Sequence, residues 1–288
     1  MGLFHKLVVG LKRRFNSSSM DYLSEEKIYG NDGEDNVKDA LIRALSDCEI
    51  KNNVIVNTSD RNCEIDLLLR YKSKLFIIEV KHWKDSISEH SGVIIQEKVD
   101  KWTDDVYKKE PDSPFAQVKR QINLLKQSTN TSPYINGIVF FADAEVVNLS
   151  NEHVWFSDVF DMIDYIKTSG HISNFYEVSN CFNKAIESDY LFSNTFFGEK
   201  SLHCIIDEKS LIFNIRDKRI TKEDIKEINI DHFFSYDSVI ITLKNGEKTT
   251  TELENHEIVV LENNLKNKYS FSKIQKIILG NNNYNTFK

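Results

Sequence analysis

The stretch CEIDLLLRYKSKLFIIEVKHW, residues 63–83, decides how the chain folds. It holds two apolar runs, CEIDLLLR (63–70) and KLFIIEVK (74–81), separated only by Tyr71, Lys72 and Ser73. Each run is about eight residues long and rich in Leu and Ile, which suits buried strands better than helices and predicts a tight antiparallel hairpin. Among the charged residues of these runs, Asp66, Glu79 and Lys81 are the ones embedded beside their apolar stretches. A lone buried charge is costly, so their presence asks for a reason. Strand residues two apart share a face, which points Glu79 and Lys81 the same way. An even loop at Lys72-Ser73 places Asp66 opposite Glu79, whereas an odd loop sends it to the other face. The spacing permits two acids and one amine to converge.

Working outward, Glu34 to Ser46 carries Val37, Ala40, Leu41, Ala44 and Leu45 at helical spacing, with Glu34 at the inward edge of that face. NVIVN (53–57) reads as a further strand. Ser113-Pro114 is an N-cap followed by proline at the first helical position, opening a helix with Phe115, Val118, Ile122 and Leu125 on one face. INGIVFF (135–141) suits a central strand covered on both sides. The order is helix, three strands, helix, strand: an α/β fold with an α-β-β-β-α-β core. Two more helices are expected between Asp158 and Phe192, then a linker at Ser193 to Lys200.

Beyond that linker the expectation is a small β-rich (α+β) domain. Its strands fall at 202–206, 211–215, 225–230, 239–243 and 248–253. Asn245-Gly246 predicts a type I′ turn, and a closing helix is expected near 254–266. The predicted division is 1–29 as an apolar-then-basic segment and linker, 30–192 as the main domain and 193–288 as the β-rich domain. The tail Asn281 to Asn285 is expected to fray, and no internal repeat is visible.

Composition narrows the function classes. Hydrophobic residues at 40% and charged residues at 28% describe a globular protein. No run reaches the roughly 18 apolar residues a membrane span needs. Cys48, Cys63, Cys181 and Cys204 are scattered without metal-ligand spacing, which disfavours zinc and disulfides and fits a reducing cytoplasm. The net charge of −7 disfavours a protein that coats nucleic acid by bulk charge, yet a local basic groove or bound cations can still hold phosphate. MGLFHKLVVGLKRRF lacks a cleavage site, so export and peripheral membrane contact of the N-terminus are disfavoured, the latter without being excluded.

Two converging carboxylates can hold Mg²⁺ or Mn²⁺, hard cations that prefer oxygen. Such a metal activates a bound water and offsets charge on phosphate oxygens. The Lys81 ammonium can orient that water or stabilise the transition state, and the Val80 carbonyl, between the two charged residues, is a further metal ligand to consider. The bland alternative is a solvated strand end, since edges carry charge to discourage pairing.

Asp66, followed by Glu79-x-Lys81 at the end of the next strand, is similar to the PD-(D/E)xK nuclease signature. The wider ordered set Gly33-Glu34, Glu64-Ile65-Asp66, Ile78-Glu79-Val80-Lys81-His82-Trp83 and Ser113-Pro114-Phe115-Ala116-Gln117 resembles more narrowly the nuclease-related domain, NERD, over about Gly30 to Phe141. Ser113 replaces the usual Asn, and Lys84-Asp85-Ser86 stands where glycine is common. Both departures lie outside the metal-binding residues. The resemblance implies a restriction-endonuclease-like core with Asp66 and Glu79 as ligands and Lys81 as the catalytic lysine. It also implies Glu34 assisting metal or water and Gln117 approaching from its helix. The function implied is a Mg²⁺- or Mn²⁺-dependent nuclease, DNA favoured, with defence against foreign DNA as a context.

The alternative is a non-cleaving nucleic-acid-binding or scaffold module whose C-terminal domain, weakly PH-like in pattern, senses a protein partner. A homo-oligomer stays open. Lys119 and Arg120 read as solvated residues within reach of phosphate. Trp83 and Trp102 read as packing residues, His82 as structural, and Lys108 to Asp112 as a charged loop bordering the cleft.

Overall fold

A computed structural model describes residues 25–57, 62–83, 85–99, 105–142, 144–150, 152–195, 198–215, 218–232, 237–253, 256–262 and 265–280. The N-terminal segment, Lys84, Trp102 and the Asn-rich tail lie outside them. Contacts divide the chain into two compact units, Glu26–Ile186 and the residues from Glu187 onward.

In the first unit, α1 (Glu25–Ala44) precedes β1 (Cys48–Asn57), β2 (Asn62–Tyr71) and β3 (Lys74–Lys81). β2 and β3 are antiparallel, with Leu67 opposite Ile78 and Tyr71 opposite Lys74. The Lys72-Ser73 loop is therefore the even one, and Lys72 takes a positive φ of 56° to make it. β3 pairs in parallel with β7 (Ile135–Phe141). The crossover includes α2 (Pro114–Thr129), whose Ser113 cap accepts from the Ala116 N–H and whose Asn130 closes it at a left-handed φ of 49°.

β7 also pairs with the short β9 (Trp155–Phe156), giving the run β1-β2-β3-β7-β9 in a six-stranded sheet whose remaining strand, the two-residue Ile186–Glu187, lies beside β1. Leu75, Ile77, Val139 and Phe141 pack on one face with Val118 and Leu125 of α2. Phe76, Ile78 and Ile138 pack on the other with Val37 and Leu41 of α1 and Met162 and Ile166 of α3 (Val159–Thr168). Burial on both faces is why β3 and β7 read as unbroken apolar runs. α4 (Phe175–Lys184) supplies Val178 and Phe182 to the α2 side.

Residues between β3 and α2 include β4 (Asp85–His90), β5 (Val93–Val99) and β6 (Val106–Lys109). With β8 (Ala144–Asn148) they form a second sheet in the order β6-β5-β4-β8. Lys108 and Lys109 are thus strand residues; the charged loop is shorter than expected.

From Glu187 onward the described residues contain strands and 3₁₀ turns and no α-helix. The strands are β10 (Asp189–Thr195), β11 (Gly198–Ile206), β12 (Phe213–Ile215), β13 (Lys218–Ile220), β14 (Ile225–His232), β15 (Asp237–Leu243), β16 (Lys248–Leu253), β17 (Glu257–Glu262), β18 (Leu265–Ser270) and β19 (Ile274–Ile278). Eight of them make one sheet in the order β16-β15-β14-β19-β10-β11-β17-β18, and β12 pairs with β13.

Three expectations are corrected here. The stretch 193–200 is not a linker: Thr195 pairs with Gly198, and β10 and β11 run through it. Its Ser and Asn looked loop-like, but ladder bonds use the backbone and are indifferent to them. The helix near 254–266 is a strand pair, β17 with β18, in which Ile258 and Val260 are buried at a spacing of two. At Asn245-Gly246 only Gly246 has positive φ (89°), so the turn is not type I′. The Gly246 N–H donates to the Leu243 carbonyl, the Leu243 N–H donates to the Glu247 carbonyl, and the Asn245 side chain accepts from the Glu247 N–H.

Candidate active site

The C-terminal end of β3 is where β2 and β3 part. Their ladder ends at Leu67 and Ile78, so the next position in register brings Asp66 opposite Glu79 without a further backbone pair. β2 also changes face here. Ile65 packs in the core on the α2 side, whereas Leu67, two residues on, packs on the α1 side. The partner strand does likewise around Asn53, which adopts a left-handed φ of 51°. The kink frees Asp66 from strict alternation. Its Oδ2 accepts from the Val80 N–H at 2.8 Å, occupying the place a β2 carbonyl would hold. In a strand the N–H and C=O of one residue point to the same neighbour, so the Val80 carbonyl also looks toward this gap.

Glu79 is 1% exposed, and both its oxygens are engaged. Oε1 accepts from the Lys81 ammonium and, at 2.5 Å, from the Gln117 amide. Gln117 in turn accepts from Lys81 at 3.2 Å, closing a triangle of three side chains. Oε2 accepts from Gln121 at 2.6 Å. The ammonium itself is partly exposed while its partner is not, so the pair presents a cation outward over a buried anion. α2 makes this possible: Gln117 and Gln121, four residues apart, lie on one edge of the helix. Gln121 was missed by sequence reasoning because a glutamine beside apolar residues looks like a solvated position, yet it is fully buried. The only signal was its spacing from Gln117. The buried face also differs from expectation: Gln121 and Leu124 are inside, while Phe115 is half-buried and stacks on His153 at 3.9 Å.

Glu34 reaches the same neighbourhood from α1. Burial, then the charges of Glu64, Glu79 and Asp35, push its carboxyl up to about 7, with Lys81 opposing. One of its oxygens, Oε2, is buried with no hydrogen-bond partner. Burial and the charges of Glu79 and Glu34 likewise push Asp66 well above the usual carboxylate range, against the Val80 N–H and Lys81. The sequence-selected Glu34, Asp66, Glu79, Val80, Lys81 and Gln117 thus fall at one locus. Lys119 and Arg120 are exposed on α2, Trp83 packs on Phe141 with ring centroids 5.7 Å apart, and His82 is half-buried.

Among the described residues no group of three or more His, Cys, Asp or Glu side chains is arranged to hold a metal ion. A magnesium site does not require one, because Mg²⁺ commonly takes one or two carboxylates and completes its shell with water and substrate phosphate. The donor set here is hard oxygen, acidic and short of cations, with an unsatisfied acceptor at Glu34 Oε2. It fits such an ion.

A mixed α/β domain with acids and a lysine gathered at one strand end is nuclease-like in class. Residues 29–142 match the family model described as the nuclease-related domain, NERD. No curated protein and no solved structure matches the chain. Among the described residues no helix is long and apolar enough to cross a membrane.

Proposed function

We propose that the protein is a divalent-metal-dependent nuclease that hydrolyses phosphodiester bonds, with DNA as the favoured substrate and a PD-(D/E)xK-type core. The observation that carries this reading is the meeting of Asp66, Glu79 and Lys81 at the fork between β2 and β3, inside the span that matches the nuclease-related family. Asp66 and Glu79 would hold Mg²⁺ or Mn²⁺, with the Val80 carbonyl as a third oxygen. When bound, the ion would supply Lewis acidity and an activated water.

The remaining roles belong to the chain. Lys81 presents its ammonium where phosphate charge grows, and Gln117 fixes the direction of that ammonium through its own carbonyl oxygen. Glu34, held near neutrality by burial, can take up a proton released from an attacking water. Defence against foreign DNA is the biological setting this chemistry suits.

The test is cleavage of plasmid, linear and single-stranded substrates with Mg²⁺ or Mn²⁺, comparing the parent with Lys81→Ala. Loss of at least about 100-fold in the variant is expected. Cleavage by Lys81→Ala at the parent's rate, or no cleavage of any substrate by the parent, would refute the reading. Nucleic-acid binding without cleavage would point instead to a non-cutting module.

A further inference from the structure

We infer that Gln121 is a positioning residue of this site, holding the Glu79 carboxylate from its buried side so that Lys81 and Gln117 meet the other oxygen. The role rests on the nuclease reading above, which it deepens. Gln121 is fully buried, and its amide nitrogen donates to two acceptors, Glu79 Oε2 at 2.6 Å and the Glu64 carbonyl at 2.8 Å. Only an NH₂ can serve both, so the orientation of the amide is set by its partners. Its own oxygen is then buried with no partner. A side chain present for packing alone would have no such unsatisfied atom, and leucine or methionine would fill the place without it.

The location of these two acceptors explains the arrangement. Glu64 lies on β2 and Glu79 on β3, both past the last ladder pair at Leu67 and Ile78. Gln121 therefore spans the fork where the backbone no longer ties the strands, and it does so at the carboxylate that meets Lys81. The terminal torsion of a glutamate is soft, so one-sided hydrogen bonding leaves the carboxylate free to turn. Donors on both oxygens, Gln117 and Lys81 on Oε1 and Gln121 on Oε2, remove that freedom. A residue that orients a metal ligand in this way typically carries about 10- to 100-fold in metal affinity or activity.

The experiment compares full-length parent, Gln121→Met, and Ile163→Ala, a core substitution on the opposite sheet face that lowers stability without touching Glu79. Three readouts are taken: Mn²⁺ affinity by calorimetry, kcat and KM for cleavage, and the rate of Lys81 acetylation by mass spectrometry in metal-free protein. Gln121→Met should lose about 10- to 100-fold in Mn²⁺ affinity and in kcat with KM little changed. Its Lys81 should label several-fold faster than in the parent. Ile163→Ala should match the parent in all three below its melting temperature. If Gln121→Met does not fold, Gln121→Asn, which withdraws the amide by one methylene, is read in its place with the same expected direction. A folded variant with the parent's Mn²⁺ affinity, kcat and Lys81 labelling overturns the inference. Should the parent neither bind Mn²⁺ nor cut, the nuclease reading fails, and Lys81 labelling alone still decides whether Gln121 positions Glu79.

Discussion

Three carboxylates share one partly buried locus with a single ammonium, and Glu34 registers the imbalance most plainly. Its carboxyl is pushed from 4.5 up to about 7 by burial first and neighbouring acids second. A carboxyl raised in the folded state binds its proton more tightly there than in the unfolded chain. Its stabilising effect is therefore complete below about pH 4.5 and is lost as pH rises toward 7. Metal-free protein should accordingly melt at lower temperature at pH 8 than at pH 5.5. Glu34→Gln should flatten that slope and raise stability at pH 8 by on the order of 2 kcal/mol. Saturating Mn²⁺ should offset the same loss in the parent, because the ion does what the proton did. Thermal scans across pH with and without chelator check this, and a Glu34→Gln slope equal to the parent's would remove Glu34 from the cluster. Within the same group, Asp66→Ala should abolish calorimetric Mn²⁺ binding while leaving the fold intact, since it relieves repulsion as well as deleting a ligand.

At the scale of elements, the site depends on how closely α2 approaches the sheet, and Gly137 of β7 sets that distance. A Cβ added there would lie 2.4 Å from Val118 Cγ1 and 3.2 Å from Ile122 Cδ1, both on α2. Gly137→Ala should push the helix outward, cost about 1–3 kcal/mol of stability, and lower cleavage further than that loss alone explains. Gln117 and Gln121 ride on the displaced helix. Urea unfolding and cleavage measured together test this, and an alanine variant with unchanged activity would show that the helix position is not critical.

The same elements show what a sequence can and cannot disclose. β3, β7 and the start of α2 were legible because apolar runs and a Ser-Pro cap are local signals, whereas the parity of the hairpin loop is fixed only by the β2–β3 register. The acid-lysine spacing was legible for the same reason. Gln121 was not, because its meaning lies in two acceptors on other strands. The sheet of β4 to β6 was hidden as well: every side chain of VYKK is exposed, and across residues 86–90 only Ile87 is fully buried, so little apolar alternation survives to be read. The supposed helix near 254–266 was misread because Glu, Asn and Lys around Leu mimic a helix surface, while the alternate burial of Ile258 and Val260 emerges only when β17 is paired.

At the scale of the whole molecule, the candidate site lies entirely within Glu26–Ile186, and the β-rich unit is organised around a different buried charge pair. Lys222 and Asp189 are almost fully buried and ion-paired. Asp189 also accepts from the Ile206 N–H at 2.8 Å and the Gly280 N–H at 3.1 Å, and Lys222 donates to the Ile206 carbonyl at 2.7 Å. The pair thereby ties the start of β10, the end of β11, the 3₁₀ turn before β14 and the segment after β19. Breaking one partner leaves a buried charge without compensation, so Lys222→Met should cost about 3–5 kcal/mol. Replacing both with apolar residues, Asp189→Leu with Lys222→Met, should recover much of that loss, because the desolvation of two charges disappears with them. Hydrogen exchange read by mass spectrometry locates the effect: protection should fall across β10, β11 and β14 in the single variant and return in the double. If the double variant were no more stable than the single, the hydrogen bonds from Ile206 and Gly280 to Asp189, rather than the burial of an unpaired charge, would be what holds this corner of the sheet together.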